Sequence, residues 1–173
     1  PLSWFLASRP VDLPNNIPGS DNNGVENGYG RAMLNWYTVD PIFYSTQRPG
    51  GISDDDVSNI YTRRVFIDEI FPEVDVVQGQ TAVIDTLDLA YYPDERGPYN
   101  FDPAAANNAP LNPNNSWAGI TRQITSTDFE QANVEYIEFW VQDPFLDNTS
   151  SQGGKLFINL GNISEDVLKD GKK

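Results

Sequence analysis

The sequence contains no cysteine and no histidine. These two absences exclude disulfides, thiol nucleophiles, Ser-His-Asp triads and the usual zinc ligands. Any chemistry would therefore have to depend on carboxylates, lysine, tyrosine or a hard metal ion.

Basic residues are scarce, because 11 Lys and Arg stand against 25 Asp and Glu and leave a formal net charge of −14. This charge repels phosphate backbones, so we predict no nucleic-acid partner. A structural calcium ion is an alternative for so acidic a chain, and Asp54, Asp55 and Asp56 are its best candidate ligands. Three consecutive aspartates lack the spaced ligands and the glycine of a dedicated calcium loop. We therefore predict no cofactor and keep calcium as the alternative.

Long apolar runs are also missing, since no stretch approaches the roughly 18 residues that indicate a membrane-spanning helix. We predict no direct membrane insertion of this segment. The chain begins at Pro1 without a methionine and ends directly after a helix-like stretch. We interpret it as a piece of a larger protein.

The 173 residues suffice for one ordinary domain, and 13 Gly and 13 Pro are scattered along the whole length. This composition favours many short strands joined by turns. We predict a single all-β domain, an antiparallel β-sandwich with long loops and one short C-terminal helix. Residues 1–30 are expected to form an N-terminal strand and a flexible loop, and residues 31–173 the sandwich module.

Strand-like runs recur between turn signals along the chain. They cover residues 2–8, 31–40, 63–71, 80–92, 117–124, 134–142 and 155–161. Residues 93–115 contain five Pro and six Asn and are predicted to be one long loop. The final helix is predicted at 164–170, with Ser164 as its N-cap.

Two glutamates in the 134–142 run, Glu135 and Glu138, raise the question of a sugar-cleaving site. Side chains three apart on a strand point to opposite faces and lie roughly 10 Å apart along it. A glycosidase needs two carboxyls on the same side of a cleft. We therefore predict that the protein is not an enzyme. A carboxylate-based glycosidase that uses acids from different strands is the weaker alternative.

The same strand is predicted to point Ile137, Phe139 and Val141 into the core, and the run 155–161 to point Leu156, Ile158 and Leu160 inward. Tyr136 and Trp140 would then share the reverse face with Glu138. Aromatic rings beside an acid on an exposed face suit sugar stacking, and they equally suit packing beneath a long loop.

The densest loop motif is Tyr91–Asn100, which combines Tyr91, Tyr92, Arg96 and Tyr99 with two prolines. Tyrosine and arginine on a rigid loop are typical of a contact surface. The alternative is that an Arg96 salt bridge orders the loop on its own domain.

Several long strings of the sequence resemble the SprA (Sov) family, the giant outer-membrane translocon proteins of the type IX secretion and gliding-motility systems of Bacteroidetes. The strings are RRVFIDEIFPEVD (63–75), TLDLAYYPDERGPYNFD (86–102), NSWAGITRQI (115–124), DFEQANVEYIEFWVQDPF (128–145) and GGKLFINLGNISEDVLKDGKK (153–173). They occur in the same order over most of residues 31–173, and residues 1–30 carry little of the resemblance.

The resemblance implies a non-catalytic role in protein export, because this family forms a β-barrel through which folded cargo leaves the cell. It implies as partners the rest of the translocon barrel, its plug or flanking proteins, and secreted cargo. Charged residues on both faces of the short strands do not suit a lipid-facing barrel wall. We therefore expect a water-soluble module at the outer membrane, exposed to the periplasm or the cell surface.

The order of WAGI, DF, EYIEFWV and GGKLFINLG also resembles the later half of a galactose-binding-like jelly roll. Modules of that kind bind glycans or act as structural spacers, and the fold alone does not decide between these roles. A carbohydrate-binding module that uses Tyr136 and Trp140 is therefore the alternative function.

Overall fold

The fold is of the all-β type, with short strands and only short helices between them. The computed structural model describes residues 3–10, 24–80, 82–125, 128–146, 153–161 and 164–172. Within these ranges the strands are β1 (Phe5–Leu6), β2 (Ala32–Tyr37), β3 (Val65–Phe66), β4 (Val83–Ile84), β5 (Asp88–Arg96) and β6 (Ile120–Thr121). They pair as β1 with β6, β2 with β5 and β3 with β4, in two-stranded sheets. The stacked sheets of a jelly roll stay a prediction.

The helical elements are one or two turns long. They are the α-helices α1 (Asp54–Ser58) and α2 (Ile67–Ile70) and the 3-10 helices Gly24–Gly28, Pro41–Tyr44, Pro103–Asn108 and Pro113–Asn115. No helix in the described ranges is long and apolar enough to cross a membrane.

The chain divides into two compact units, and the division falls within β2 and β5. The first unit comprises Trp36–Ala90, and the second comprises Leu2–Asn35 together with Tyr91–Lys173. Most of the predicted N-terminal loop, residues 11–23, lies outside the described residues.

In the first unit the Asp54–Asp56 run begins a helix. Ser53 caps α1, because its hydroxyl accepts a hydrogen bond from Asp56 N at 3.1 Å and the Asp56 carboxylate accepts one from Ser53 N at 2.8 Å. Asp54 forms an ion pair with Arg48. Acidic residues are favourable in a first helical turn, so helix capping explains this cluster. In the described part of the chain no group of three acidic side chains is placed to hold a metal ion.

The predicted strand 63–71 is only partly correct, because the chain leaves β3 after Phe66 and forms α2. The Glu69 carboxylate accepts a hydrogen bond from Phe66 N at 3.0 Å, which satisfies a backbone donor at the start of the helix. The same carboxylate accepts two hydrogen bonds from Arg63, at 2.9 and 2.8 Å. Such a bidentate pair fixes the position of both side chains.

Glu69→Gln is expected to destabilise the first unit at neutral pH and to matter less in acid. The hydrogen bonds from Arg63 and from Phe66 N hold the pKa of Glu69 below its ordinary value of 4.5. A carboxylate whose folded pKa is depressed stabilises the fold above its unfolded pKa, and this stabilisation is lost as pH falls through the folded pKa. Urea unfolding at a series of pH values below and above 4.5 measures the effect.

The matched control is Glu73→Gln, which removes an exposed carboxylate of the same unit. This variant is expected to follow the wild-type pH profile. If the gap between wild type and Glu69→Gln stays constant as the pH falls, the assignment of the pH dependence to Glu69 is wrong.

In the second unit, residues 93–115 are not one long loop. Strand β5 continues to Arg96, and Asp94 accepts a backbone hydrogen bond from Leu111 N at 2.8 Å. Two 3-10 helices follow, each with a proline in its first turn and each capped by the preceding side chain. Asp102 accepts from Ala104 N at 2.8 Å, and Asn112 accepts from Asn114 N at 3.0 Å. The prolines thus begin helical turns here as well as ending strands.

The predicted C-terminal helix at 164–170 is absent from the described residues there. Ser164 accepts from Asp166 N at 3.2 Å, but the Asp166 carboxylate then accepts from Leu168 N at 3.2 Å and from Gly171 N at 2.7 Å. Lys169 adopts a left-handed φ of 54°. The aspartate binds backbone donors that a helix would otherwise use, which favours a turn.

The runs 134–142 and 155–161 were predicted as sandwich strands, and that prediction is wrong for this structure. Their described residues have no regular secondary structure, and every side chain is exposed. The side chains that the sequence predicts to point into the core are therefore exposed instead: Ile137, Phe139, Val141, Leu156, Ile158 and Leu160. No described strand is paired with either run, so neither run belongs to a sheet in the described part of the chain.

Candidate protein-contact surfaces

The second unit is built around a buried arginine and tryptophan. Arg31 and Trp117 are 0% and 5% exposed, and the Arg31 guanidinium carbon lies 4.2 Å from the centroid of the Trp117 ring. Arg31 Nη1 donates to the carbonyl of Ala7 at 2.8 Å, directly after β1, and Trp117 Nε1 donates to the carbonyl of Tyr29 at 3.0 Å. The pair thereby ties the end of β1 and the start of β2 to the segment before β6.

Arg31 carries its charge in an environment that disfavours it. Burial lowers the pKa of Arg31 to about 10, with a smaller lowering from Arg9 and an opposing effect of Tyr99. Arg9 is also buried, with its guanidinium carbon 5.8 Å from the Trp117 ring centroid. The Trp117 ring face therefore offsets part of the desolvation of both cations. Nε and Nη2 of Arg31 have no hydrogen-bond partner in the described part of the chain.

The turn after β5 is attached to this buried pair through the main chain. Gly97 N donates to the Arg31 carbonyl at 2.9 Å, and the buried Asn100 side chain donates to the same oxygen at 2.8 Å. Tyr99 between them adopts a left-handed φ of 59°. These bonds set the position of the whole 97–100 turn.

Four of the predicted contact residues lie on β5 and this turn, and all four are exposed: Tyr91, Tyr92, Arg96 and Tyr99. Tyr91 is held by a 2.8 Å hydrogen bond between its hydroxyl and that of Ser116, and partial burial raises its pKa. Arg96 makes no ion pair with the described residues. The turn is ordered by Gly97 and Asn100 instead of by an Arg96 salt bridge.

The other two predicted contact residues are among the most exposed aromatics of the protein. Tyr136 is 79% and Trp140 is 69% exposed. They lie in residues 134–141, a stretch whose alternating sequence is typical of a strand and which is exposed at every position. Among the described residues no hydrogen bond or cation–ring contact joins them to the Tyr91–Tyr99 group. The six predicted contact residues therefore lie on two different parts of the chain, four on β5 and the turn after it and two in residues 134–141.

Glu135 and Glu138, the candidates for acid chemistry, are both exposed on this stretch. No described hydrogen bond engages either carboxylate. Neither carboxylate is therefore enclosed in an apolar pocket of the kind that the acid of a glycosidase occupies.

Two arrangements in the structure are not among the sequence predictions. The first is the buried Arg9, Arg31 and Trp117 cluster, because Arg9 and Arg31 lie at the two ends of a Pro- and Asn-rich stretch that resembles a surface loop. The second is an open cleft of about 460 Å³ in the first unit, where the Arg64 guanidinium carbon lies 5.2 Å from the Tyr44 ring centroid and 5.7 Å from that of Phe66. The sequence signal for this cleft is the adjacent pair Arg63 and Arg64 in an otherwise acidic chain.

Comparison with known proteins adds no assignment: no protein-family model matches the chain, and a search of the curated proteins finds no significant match.

Proposed function

We propose that this chain is a non-catalytic module of a type IX secretion translocon at the outer membrane, with a structural or protein-contact role. The proposal draws on the resemblance of the strings in residues 63–75, 86–102, 115–124, 128–145 and 153–173 to the SprA family. In this proposal the module lies on the periplasmic or outer side of the membrane. Its partners are the remaining translocon barrel and the plug or flanking proteins.

The exposed apolar surface of residues 134–146 and 153–160 is the observation that carries the contact role. Its described part presents large side chains to solvent, with Tyr136, Trp140 and Leu156 the most exposed at 79%, 69% and 65%. A monomeric soluble protein rarely leaves so many neighbouring apolar residues uncovered, and larger patches of this kind mark interfaces. Aromatic residues are also enriched at the centres of protein interfaces.

A photo-cross-linking residue in place of Trp140, within a translocon that carries this segment, tests the proposal in cells. We expect a cross-link to an identified component of the export machinery, because Trp140 lies in the surface proposed to make contact. The matched control is the same residue in place of Val77, which is 65% exposed but lies in the first unit. The proposal fails if both positions give the same products or if neither one labels a translocon component.

Carbohydrate binding is the second candidate function, because Tyr136 and Trp140 present their rings to solvent on either side of Glu138. Flat rings stack on sugar faces, and a carboxylate accepts hydrogen bonds from hydroxyl groups. If this function is correct, the purified chain binds a glycan array, and Trp140→Ala abolishes binding while the thermal unfolding midpoint is unchanged. Binding that survives this substitution would exclude the aromatic pair as a sugar site.

A further inference from the structure

Two stretches of the second unit have the composition of strands but lack the partners of strands. They are residues 135–141 and 154–160, here called the open segments. In the described part of the chain no backbone group of either segment makes a hydrogen bond. Every residue of both segments is exposed. Each therefore offers a row of free N–H and C=O groups beside apolar side chains, which is how an unpaired strand accepts another strand.

The side-chain pattern indicates that a partner covers both faces of the first segment. Ile137, Phe139 and Val141 occupy one parity, and Tyr136 and Trp140 occupy the other. A strand with one face in water has polar residues on that face, whereas apolar residues on both parities are typical of a strand buried on both sides. A single short peptide lying on one face would leave the other set in water. Strand pairing aligns the segment in a sheet that can be covered on both sides.

The charge of the residues around the open segments decides between a second copy of this chain and a different polypeptide as the partner. Residues 123–154, which include the whole of the first open segment, contain no Lys or Arg and six acids: Asp128, Glu130, Glu135, Glu138, Asp143 and Asp147. The second open segment contains one cation, Lys155, and no acid. A second copy of this chain would bring the same acids against them and would add to the repulsion between two chains of net charge −14. Like charges directly opposite each other on paired strands are destabilising, and opposite charges are stabilising.

We propose that the open segments are a docking site for β-strands of a different polypeptide, with Lys or Arg beside the apolar positions of the incoming strand. This inference rests on the protein-contact role of the proposed function and names its mode and its partner chemistry. The incoming strand forms main-chain hydrogen bonds with the open segments, and its cations face the acids of residues 128–143.

Hydrogen exchange of the purified chain, with synthetic strand peptides as probes, tests the proposal. One peptide alternates valine with lysine, and its control has glutamate at every lysine position. The lysine peptide is expected to slow amide exchange in 135–141 and 154–160 by about tenfold or more, because paired amides are protected. The glutamate peptide is expected to have little effect, and added salt is expected to weaken the lysine peptide.

Four results would overturn the proposal. Protection of the segments without any peptide would mean that they pair within the chain. Protection that increases with protein concentration alone would make a second copy the partner. Equal protection by the two peptides would show that docking does not prefer a basic strand. Protection by neither peptide would show that the open segments do not bind strands.

The variant Ile137→Pro distinguishes strand pairing from non-specific hydrophobic binding of the peptide. Proline removes the amide donor and fixes φ, so it prevents a ladder hydrogen bond at this position. Ile137 N makes no described hydrogen bond in the free chain, so the thermal unfolding midpoint is expected to stay unchanged. Binding of the lysine peptide is expected to weaken about tenfold or more.

The control Val77→Pro places the same residue at an exposed position of the first unit and is expected to bind like the wild type. If Ile137→Pro binds the peptide as well as Val77→Pro does, main-chain pairing is not the mode of docking. The cellular cross-link at Trp140 reports membership of the translocon independently of this result. A cross-link without peptide binding would contradict only the proposal that partners dock by strand pairing. Peptide binding without a cross-link would contradict only the proposal that the chain belongs to the translocon.

Discussion

Replacement of Trp117 by alanine is expected to destabilise the second unit by about 3–5 kcal/mol, the range for deleting a large buried aromatic side chain. Trp117 is 5% exposed, and its ring is the surface against which the Arg31 and Arg9 guanidinium groups lie. The substitution leaves a cavity, removes the hydrogen bond to the Tyr29 carbonyl and removes the ring face from two buried cations. Urea unfolding followed by circular dichroism measures the loss.

Trp140→Ala is the matched control, because it deletes the same side chain at a position that is 69% exposed. It is expected to change the free energy of unfolding by no more than about 0.5 kcal/mol. Trp117→Phe retains a ring for the arginines and loses the indole N–H, so it should fall between the two. The described core would be assigned wrongly if Trp117→Ala and Trp140→Ala unfolded at the same urea concentration.

The sequence predicted the parts of the fold whose signals are local. Alternation in residues 31–37 and the β-branched and aromatic residues up to Tyr92 indicated β2 and β5, and the structure has strands there. The exposure of Tyr91, Tyr92, Arg96 and Tyr99 follows from their polar tips and from the neighbouring Pro and Gly. These predictions depend on residues close together in the chain, where period and turn chemistry are informative.

The buried arginine cluster could not be predicted in the same way. Arg31 contacts Ala7 and Trp117, which are distant in sequence, and a charged residue is almost never fully buried unless it is paired. Composition therefore assigned both arginines to the surface. Their burial follows from tertiary contacts that single-sequence patterns do not contain.

The open segments illustrate a different limit of sequence analysis. Alternating apolar residues in 134–142 are typical of a strand, but a strand also needs a partner edge. No described strand of this chain supplies that edge, and both runs stay exposed. The C-terminal stretch differs again, because the Asp166 side chain competes locally with the helix that its neighbours favour.

Gly97→Ala is expected to destabilise the second unit by about 3 kcal/mol, at the upper end of the range for forced overpacking. A Cβ on Gly97 would overlap the carbonyl oxygen of Ala32 and lie 3.2 Å from that of Arg31. The chain cannot move away freely, because Gly97 N donates to the Arg31 carbonyl at 2.9 Å. Relief of the overlap therefore breaks this bond and displaces the turn that carries Tyr99.

Gly50→Ala provides the comparison for Gly97→Ala, since a Cβ at Gly50 meets no atom within 4 Å. That variant is expected to be neutral or to gain up to about 1 kcal/mol, because alanine reduces the freedom of the unfolded chain. Hydrogen exchange should also separate the two variants, with faster exchange at 97–100 in Gly97→Ala alone. If Gly97→Ala retains both wild-type stability and slow exchange at the turn, the close approach of Gly97 to the Ala32 carbonyl does not hold. The hydrogen bond from Gly97 N to the Arg31 carbonyl would then not fix the position of the turn that carries Tyr99.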